Sequence, residues 1–349
     1  MWAGQRGWRH APAGRWAGLA RLSCLFLNKA VSRTEVETIE SFFLRVAVSR
    51  FSLISSLHVA GHDWNGFLTW LSLCKELIMT ERLFEDKHHS SIYQRYRFVP
   101  PDEIKDLILQ YLNEKKQPPH VLAVDLGCGT GQNTRLLAPH FQQVVGIDVS
   151  ETQIEEAKAV PGFANVTYRV GVAEELPFPD ASVDLLTAAS AAHWFNPEKF
   201  LTEVKRTLKP HGCIALLGYV DMLKLSYGHC EDRLTGIYKE VQSFLLPYVN
   251  TKVAAANSKL QHLFDAIPFP DKKRVESIPV KTHISVSEVV GFIETFSYYQ
   301  AYRRVEPEAG PALLQNMQTR FLEAMGVSSS DTKIEITLNY FCVLACKPL

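Results

Sequence analysis

The chain has 349 residues, 46% hydrophobic and 21% charged, enough for one large core or two modest ones. Its formal net charge is zero, yet residues 1–34 carry +6 with no acid, which leaves −6 on the remainder. A mildly acidic body lacks the positive footprint that phosphate backbones require, so nucleic acid is excluded as the expected partner.

The cations of the first segment are Arg6, Arg9, Arg15, Arg21, Lys29 and Arg33, a composition that fits a mitochondrial transit peptide. Further on, the apolar run Phe42–Leu57 is interrupted by Arg45 and Arg50. It is too short and too charged to span a bilayer, so no stable membrane insertion is expected. Residues 1–78 read as an N-terminal extension, either a targeting segment or the product of an alternative start upstream of Met79. An extra helical subdomain over Glu35–Lys75 is the alternative. The form covering 79–349 is expected to be cytoplasmic, or mitochondrial if residues 1–34 act as a transit peptide.

From residue 100 the pattern alternates between helix and strand. Pro100–Lys116 opens on prolines and acids, ends on lysines and carries one apolar stripe, which predicts a helix. VLAVDL (121–126) is a buried strand, Thr130–Leu137 a helix and Gln143–Asp148 a second strand. Ser150 caps a helix reaching Lys158, with Gln153 in the capping-box position. Asn165–Gly171 and Val183–Ala189 follow as strands, Asn196–Leu208 as a helix and Cys213–Tyr219 as a fifth strand. This order implies a doubly wound, mostly parallel α/β sheet covered on both faces. Residues 220–300 are aromatic-rich and read as a helical cap over the substrate, and Lys333–Pro348 alternates as a long strand.

Between the first strand and its helix stands D-L-G-C-G-T-G, with Asp125 followed by Gly127, Cys128, Gly129 and Gly131. Such a turn lies at the carboxyl edge of the sheet, where ligands of open α/β folds bind, and glycines there allow close backbone approach. Asp148 ends the next strand, where a carboxylate can accept from both hydroxyls of a ribose. A dinucleotide fingerprint fails, because its third glycine falls on Gln132 or Thr134, and no G-K-[ST] supports a P-loop. A cationic ligand, an ammonium or a sulfonium, suits Asp125 better than a pyrophosphate does.

D-L-G-C-G-T-G, V-V-G-I-D, A-E-E-L-P-F, the fourth strand leading into S-A-A-H-W-F, and L-K-P-H-G-C occur in this order. The set resembles the class I S-adenosylmethionine-dependent methyltransferase family, densely over 121–219 and more weakly over 82–349. The H-W-F and the Y-x-x-Y-R at Tyr93–Arg97 resemble the trans-aconitate methyltransferase-like group, which acts on small molecules. The resemblance implies a Rossmann-like seven-stranded sheet divided into an S-adenosylmethionine-binding core (79–219), a helical cap insertion (220–300) and C-terminal strands completing the sheet (301–349). It implies S-adenosyl-L-methionine as cofactor, a small-molecule acceptor, and methyl transfer to a carboxylate oxygen as one outcome.

The resemblance also assigns roles. Asp125 would orient the methionyl ammonium through the loop, and Gly127, Cys128, Gly129 and Gly131 would line the cofactor with backbone. Asp148 would hold the ribose, Ala173 and Glu174 would lie beside the adenine, and Ser190 would face the transferable methyl. His193 is the candidate general base. A carboxylate nucleophile needs none, whereas a phenol or amine does. The plainer role for His193 is a backbone-bonded histidine beside Trp194. Tyr96, Arg97, Trp194 and Arg303 are the candidate substrate residues, with a helix around Tyr93–Arg97 placed to close over the cofactor. Arg303 with Arg304 could clamp a carboxylate or simply form a solvated basic pair.

Seven cysteines show no C-x-x-C pair and no Cys/His ligand spacing, and read as free thiols in a reducing compartment. Cys342 and Cys346 on one strand face would stand roughly 13 Å apart, too far to bridge. No metal site is expected, and the sequence leaves the oligomeric state open. A cofactor-binding pseudo-enzyme and a protein methyltransferase stand as the rival functions, with an NAD oxidoreductase disfavoured by Gln132 and Thr134.

Overall fold

In the computed structural model, which describes residues 84–349, the apolar run after Pro118-Pro119 becomes β1 (Leu122–Leu126), buried at every position. Alternate side chains of β1 enter two different cores, Ala123 on one face of the sheet and Leu122, Val124 and Leu126 on the other. The remaining strands are β2 (Gln143–Asp148), β3 (Val166–Val170), β4 (Val183–Ala189), β5 (Leu208–Ser226), β6 (Asp271–Ser285) and β7 (Lys333–Cys346). They form a seven-stranded sheet in the order β3-β2-β1-β4-β5-β7-β6. β1 to β5 pair in parallel, while β7 runs antiparallel to both β5 and β6. The sheet is therefore doubly wound and mostly parallel, as expected. The strand order reverses between β1 and β4, which opens a crevice at their carboxyl ends.

The helices are α1 (Lys87–Tyr96), α2 (Asp102–Lys115), α3 (Gln132–Leu137), α4 (Glu151–Ala159), α5 (Pro197–Thr207), α6 (Glu231–Leu245), α7 (Thr251–Asn257), α8 (Gln261–Ala266), α9 (Val286–Glu294), α10 (Ser297–Val305) and α11 (Ala309–Met325). Residues of α2, α6 and α9 to α11 pack with Ala123, Leu185 and Ala215 on one face. Residues of α5 and α8 pack with Val124, Leu186 and Ile214 on the other. Local chemistry fixes the ends. Asn196 caps α5 by accepting from the Lys199 amide at 3.1 Å, and Ser285 with Glu288 forms a reciprocal capping box on α9. Ser150 accepts from the Gln153 amide at 3.3 Å, but the Gln153 side chain turns to Ser90 Oγ at 3.2 Å instead of closing the box.

Two expectations change. Residues 220–300 are not wholly helical: β5 extends to Ser226, and β6 adds an edge strand at Asp271–Ser285. Correspondingly, residues 301–349 supply one strand, β7, which is inserted between β5 and β6. The physical reason is that β6 is an edge, half-exposed along its length and carrying Pro279, so it lacks the apolar signature of a buried strand. Tyr238, Phe292, Phe296 and Tyr299 from this region are core residues rather than lining alone. The expectations for residues 1–78 lie outside the described residues, as does the start of the 79–219 core. Among the described residues no helix is long and apolar enough to cross a membrane.

Candidate active site

The loop after β1 turns through Gly127 (φ 60°), Gly129 (φ 54°) and Gly131 (φ 85°), a conformation that side chains resist. At Gly127 a Cβ would collide with that of Ala191, because the loop after β4 passes directly against it. The Cys128 amide donates to Ile147 O at 3.0 Å and the Gly131 amide to Cys128 O at 2.9 Å, which pins the turn to β2. Burial pushes the Cys128 thiol well up, so it stays protonated.

Asp125 is fully buried beneath this loop. One of its oxygens accepts from Asn133 Nδ2 at 2.7 Å and Thr187 Oγ1 at 2.9 Å, the other from Thr134 Oγ1 at 2.7 Å. Desolvation raises its pKa to about 6, partly countered by these three donors. The carboxylate thus ties α3 and β4 to β1 and orders the glycine loop from below.

Asp148 engages the loop from the side, accepting from the Gly129 amide at 2.8 Å and the Ser150 amide at 2.9 Å. Burial raises its pKa, with the backbone donors opposing. Two glutamines flank the same turn. Gln153 Oε1 and Gln132 Nε2 are buried with no hydrogen-bond partner among the described residues. A Cβ on Gly129 would stand 3.4 Å from that Gln153 oxygen. Unpaired polar atoms at a glycine cradle are what a polar ligand would satisfy. Ala173 is buried in the core, and Glu174 Oε1 accepts from the Asn196 amide at 2.6 Å, which ties the loop after β3 to the start of α5.

Beside the loop lies a pocket, open to solvent, at the carboxyl end of β4 and the middle of β5. Ser190 (φ 53°), His193 and Trp194 come from the loop after β4, and Leu217, Gly218 and Tyr219 from β5. Tyr93 and Arg97 come from α1 and its end, and Phe296 and Tyr298 from the start of α10. The Arg97 guanidinium donates to Tyr219 Oη and to Thr295 O at 3.3 Å. It also stacks near Tyr93 (4.8 Å), Phe296 (5.2 Å) and Phe292 (5.4 Å). Outside the pocket lining, the exposed Lys252 donates to Trp194 O at 3.0 Å. Burial, and then the charges of Arg97 and Lys252, lower the His193 pKa to about 4. His193 is therefore a neutral imidazole at physiological pH, able to accept or donate one hydrogen bond.

The structure brings together most of the sequence candidates and separates two. Tyr96 leaves the pocket: it is the last residue of α1, and its ring packs on Gly291 of α9 and beside Arg95. Arg303 is drawn away too, donating to Glu294 at 3.1 Å and packing on Gly310. The residues that sequence reasoning missed as site residues are Tyr219, Gln132 and Gln153. In the sequence Gln132 stands only where a dinucleotide loop would carry its third glycine.

Residues 124–216 match the methyltransferase domain family model. A Dictyostelium discoideum protein named only as a methyltransferase is 28% identical over 275 residues, 77% of this chain and 98% of that protein. A Saccharomyces cerevisiae protein named as an S-adenosylmethionine-dependent methyltransferase is 22% identical over 248 residues, 64% of this chain and 82% of its own length. The solved structure named as a type II methyltransferase from Anaeromyxobacter dehalogenans shares 25% identity, with a TM-score of 0.55, covering 70% of this chain and 97% of that one. The likeness to methyltransferases thus centres on residues 124–216, and the sheet shares its fold with the Anaeromyxobacter dehalogenans structure.

Proposed function

We propose that the protein is an S-adenosyl-L-methionine-dependent methyltransferase whose acceptor is a small carboxylate, as the likeness to the trans-aconitate methyltransferase-like group implies. The observation that carries the acceptor class is the Arg97 guanidinium in the pocket wall, fixed by Tyr219 Oη and Thr295 O beside the neutral His193. A pocket with a prearranged cation in its wall favours an anion, and a carboxylate needs no base to become a nucleophile.

The cofactor reading rests on the cradle. Gly127, Gly129 and Gly131 leave room for close backbone approach, and Gln153 Oε1 and Gln132 Nε2 await polar partners. Asp148, already oriented by two amides, keeps lone pairs for the ribose hydroxyls. Asp125 acts through the loop that it orders, and Cys128 contributes backbone. Ala173 and Glu174 border the adenine side, and Ser190 stands at the edge toward the acceptor. When bound, the cofactor supplies an electrophilic methyl on a sulfonium. Arg97, fixed by Tyr219 and Thr295, then orients the acceptor anion, and Trp194, Tyr93 and Phe296 keep water from the reacting atoms. His193 hydrogen-bonds the acceptor and carries no charge that would compete with it.

The test is calorimetric titration of the full chain with S-adenosylhomocysteine and, in parallel, NADH. A methyl-label assay over small carboxylic acids and over protein follows. The reading expects binding of S-adenosylhomocysteine alone and label in an acid-derived ester. Label in protein would replace the acceptor assignment, binding without turnover on any acceptor would leave a cofactor-binding pseudo-enzyme, and NADH binding would overturn the cofactor.

A further inference from the structure

Cys213 of β5 and Cys346 of β7 stand directly opposite one another across an antiparallel pair. Next to them the Lys347 amide donates to Gly212 O at 2.9 Å, and the His211 amide to Lys347 O at 2.9 Å. The cysteines therefore occupy the position between ladder bonds, where opposed Cα atoms approach to about 4.5 Å. That separation lies within the roughly 4.4–6.8 Å that a disulfide spans. Both are free thiols, the Cys213 thiol donating to His211 O at 3.8 Å and the Cys346 thiol to Lys347 O at 3.6 Å. Their strands also floor the pocket: a few residues along the same ladder Gly218 pairs with Phe341, and both line it.

We propose that Cys213 and Cys346 form a redox-linked pair that closes into a cross-strand disulfide with a disulfide oxidant. Cys346 reacts first, because it ends β7 with only the half-buried Lys347 between it and the exposed Pro348 and Leu349, so opening of the strand end uncovers it before Cys213. Its thiolate attacks one sulfur of oxidised glutathione, the glutathione S–S bond breaks, and one glutathione leaves carrying the proton that Cys346 gave up. The Cys213 sulfur then attacks Cys346 in the mixed disulfide, and the second glutathione leaves with the second proton. Two protein thiols are oxidised and one oxidised glutathione is reduced to two thiols. Burial raises both thiol pKa values, so the rate follows opening of the strand end rather than the thiol's reactivity in the closed sheet.

The experiment incubates the full-length protein with oxidised glutathione, alkylates the remaining thiols in denaturant and maps the digest. The peptides of Cys213 and Cys346 should be joined, with Cys128, Cys230 and Cys342 alkylated. The melting temperature should rise by several degrees and fall back with dithiothreitol, because a cross-link restricts the unfolded chain. Cys213→Ala should stop at a glutathione adduct on Cys346 and lose the thermal shift. Recovery of both cysteines alkylated from the wild-type protein, or of either one linked elsewhere, overturns the proposal. That wild-type map decides even if the variant fails to fold.

Discussion

The carboxylate of Asp148, at the end of β2, holds the amide of Gly129 at 2.8 Å and so binds the second strand to the loop that follows the first. One side chain thereby shapes the cradle and presents acceptors to whatever the cradle receives. Asp148→Ala should leave the sheet folded but weaken S-adenosylhomocysteine binding by about 10- to 100-fold, the size of a lost hydrogen bond to a charged group. Calorimetry measures it. Unchanged affinity would remove Asp148 from the ribose.

Arg97 is held by Tyr219, by Thr295 O and by three aromatic rings, so its guanidinium is positioned before any acceptor arrives. Arg97→Met should raise KM for an anionic acceptor by about 10- to 100-fold, with a smaller effect on kcat. Arg97→Lys should not restore it, because an ammonium reproduces neither the fork nor the stacking. Steady-state kinetics on an acid and on its neutral amide separates the cases. Equal losses on both would mean that Arg97 supports the fold rather than the substrate.

Much of the cofactor side was legible because it is local in sequence. Gly127 to Gly131 and Asp148 stand at strand ends that hydrophobic runs announce, and their geometry follows from the parallel pairing. The acceptor side was less legible, because its contacts join distant segments. Arg97 meets Tyr219 122 residues away and Thr295 198 residues away. Tyr96 was misplaced because Gly291, the residue that receives its ring, belongs to α9, far along the chain. Arg303 was misplaced because its partner Glu294 lies on a different helix, α9. Cys213 and Cys346 carry no motif at all. Only the register of β5 against β7 makes them neighbours.

Two buried groups titrate in opposite senses in one pH window. His193, lowered from 6.5 to about 4, resists protonation in the fold, so its contribution to stability is lost as pH falls from about 6.5 to 4. Asp125, raised from 3.8 to about 6, favours the protonated fold, so its contribution is lost as pH rises from 3.8 to 6. Relative to wild type, His193→Gln should gain stability as pH falls through this window, and Asp125→Asn should gain it as pH rises. The slope of each difference should not exceed about 1.4 kcal/mol per pH unit, one proton's worth. Urea unfolding at a series of pH values reads both. Parallel curves for wild type and the His193 variant would mean that His193 titrates freely in the fold.

Gly127 and Gly228 share a left-handed backbone, φ 60° and 53°, but not their surroundings. A Cβ at Gly127 collides with Ala191, whereas one at Gly228 finds nothing within 4 Å. Gly228→Ala should therefore cost only the backbone term, about 1–2 kcal/mol. Gly127→Ala should add about 1–3 kcal/mol for the clash, because the loop after β4 must move away. That same loop carries Ser190 and His193, so the Gly127 variant should also lose S-adenosylhomocysteine affinity while the Gly228 variant keeps it. Equal destabilisation in denaturant, with affinity intact in both, would mean that the two loops yield independently and that the cradle is softer than its contacts suggest.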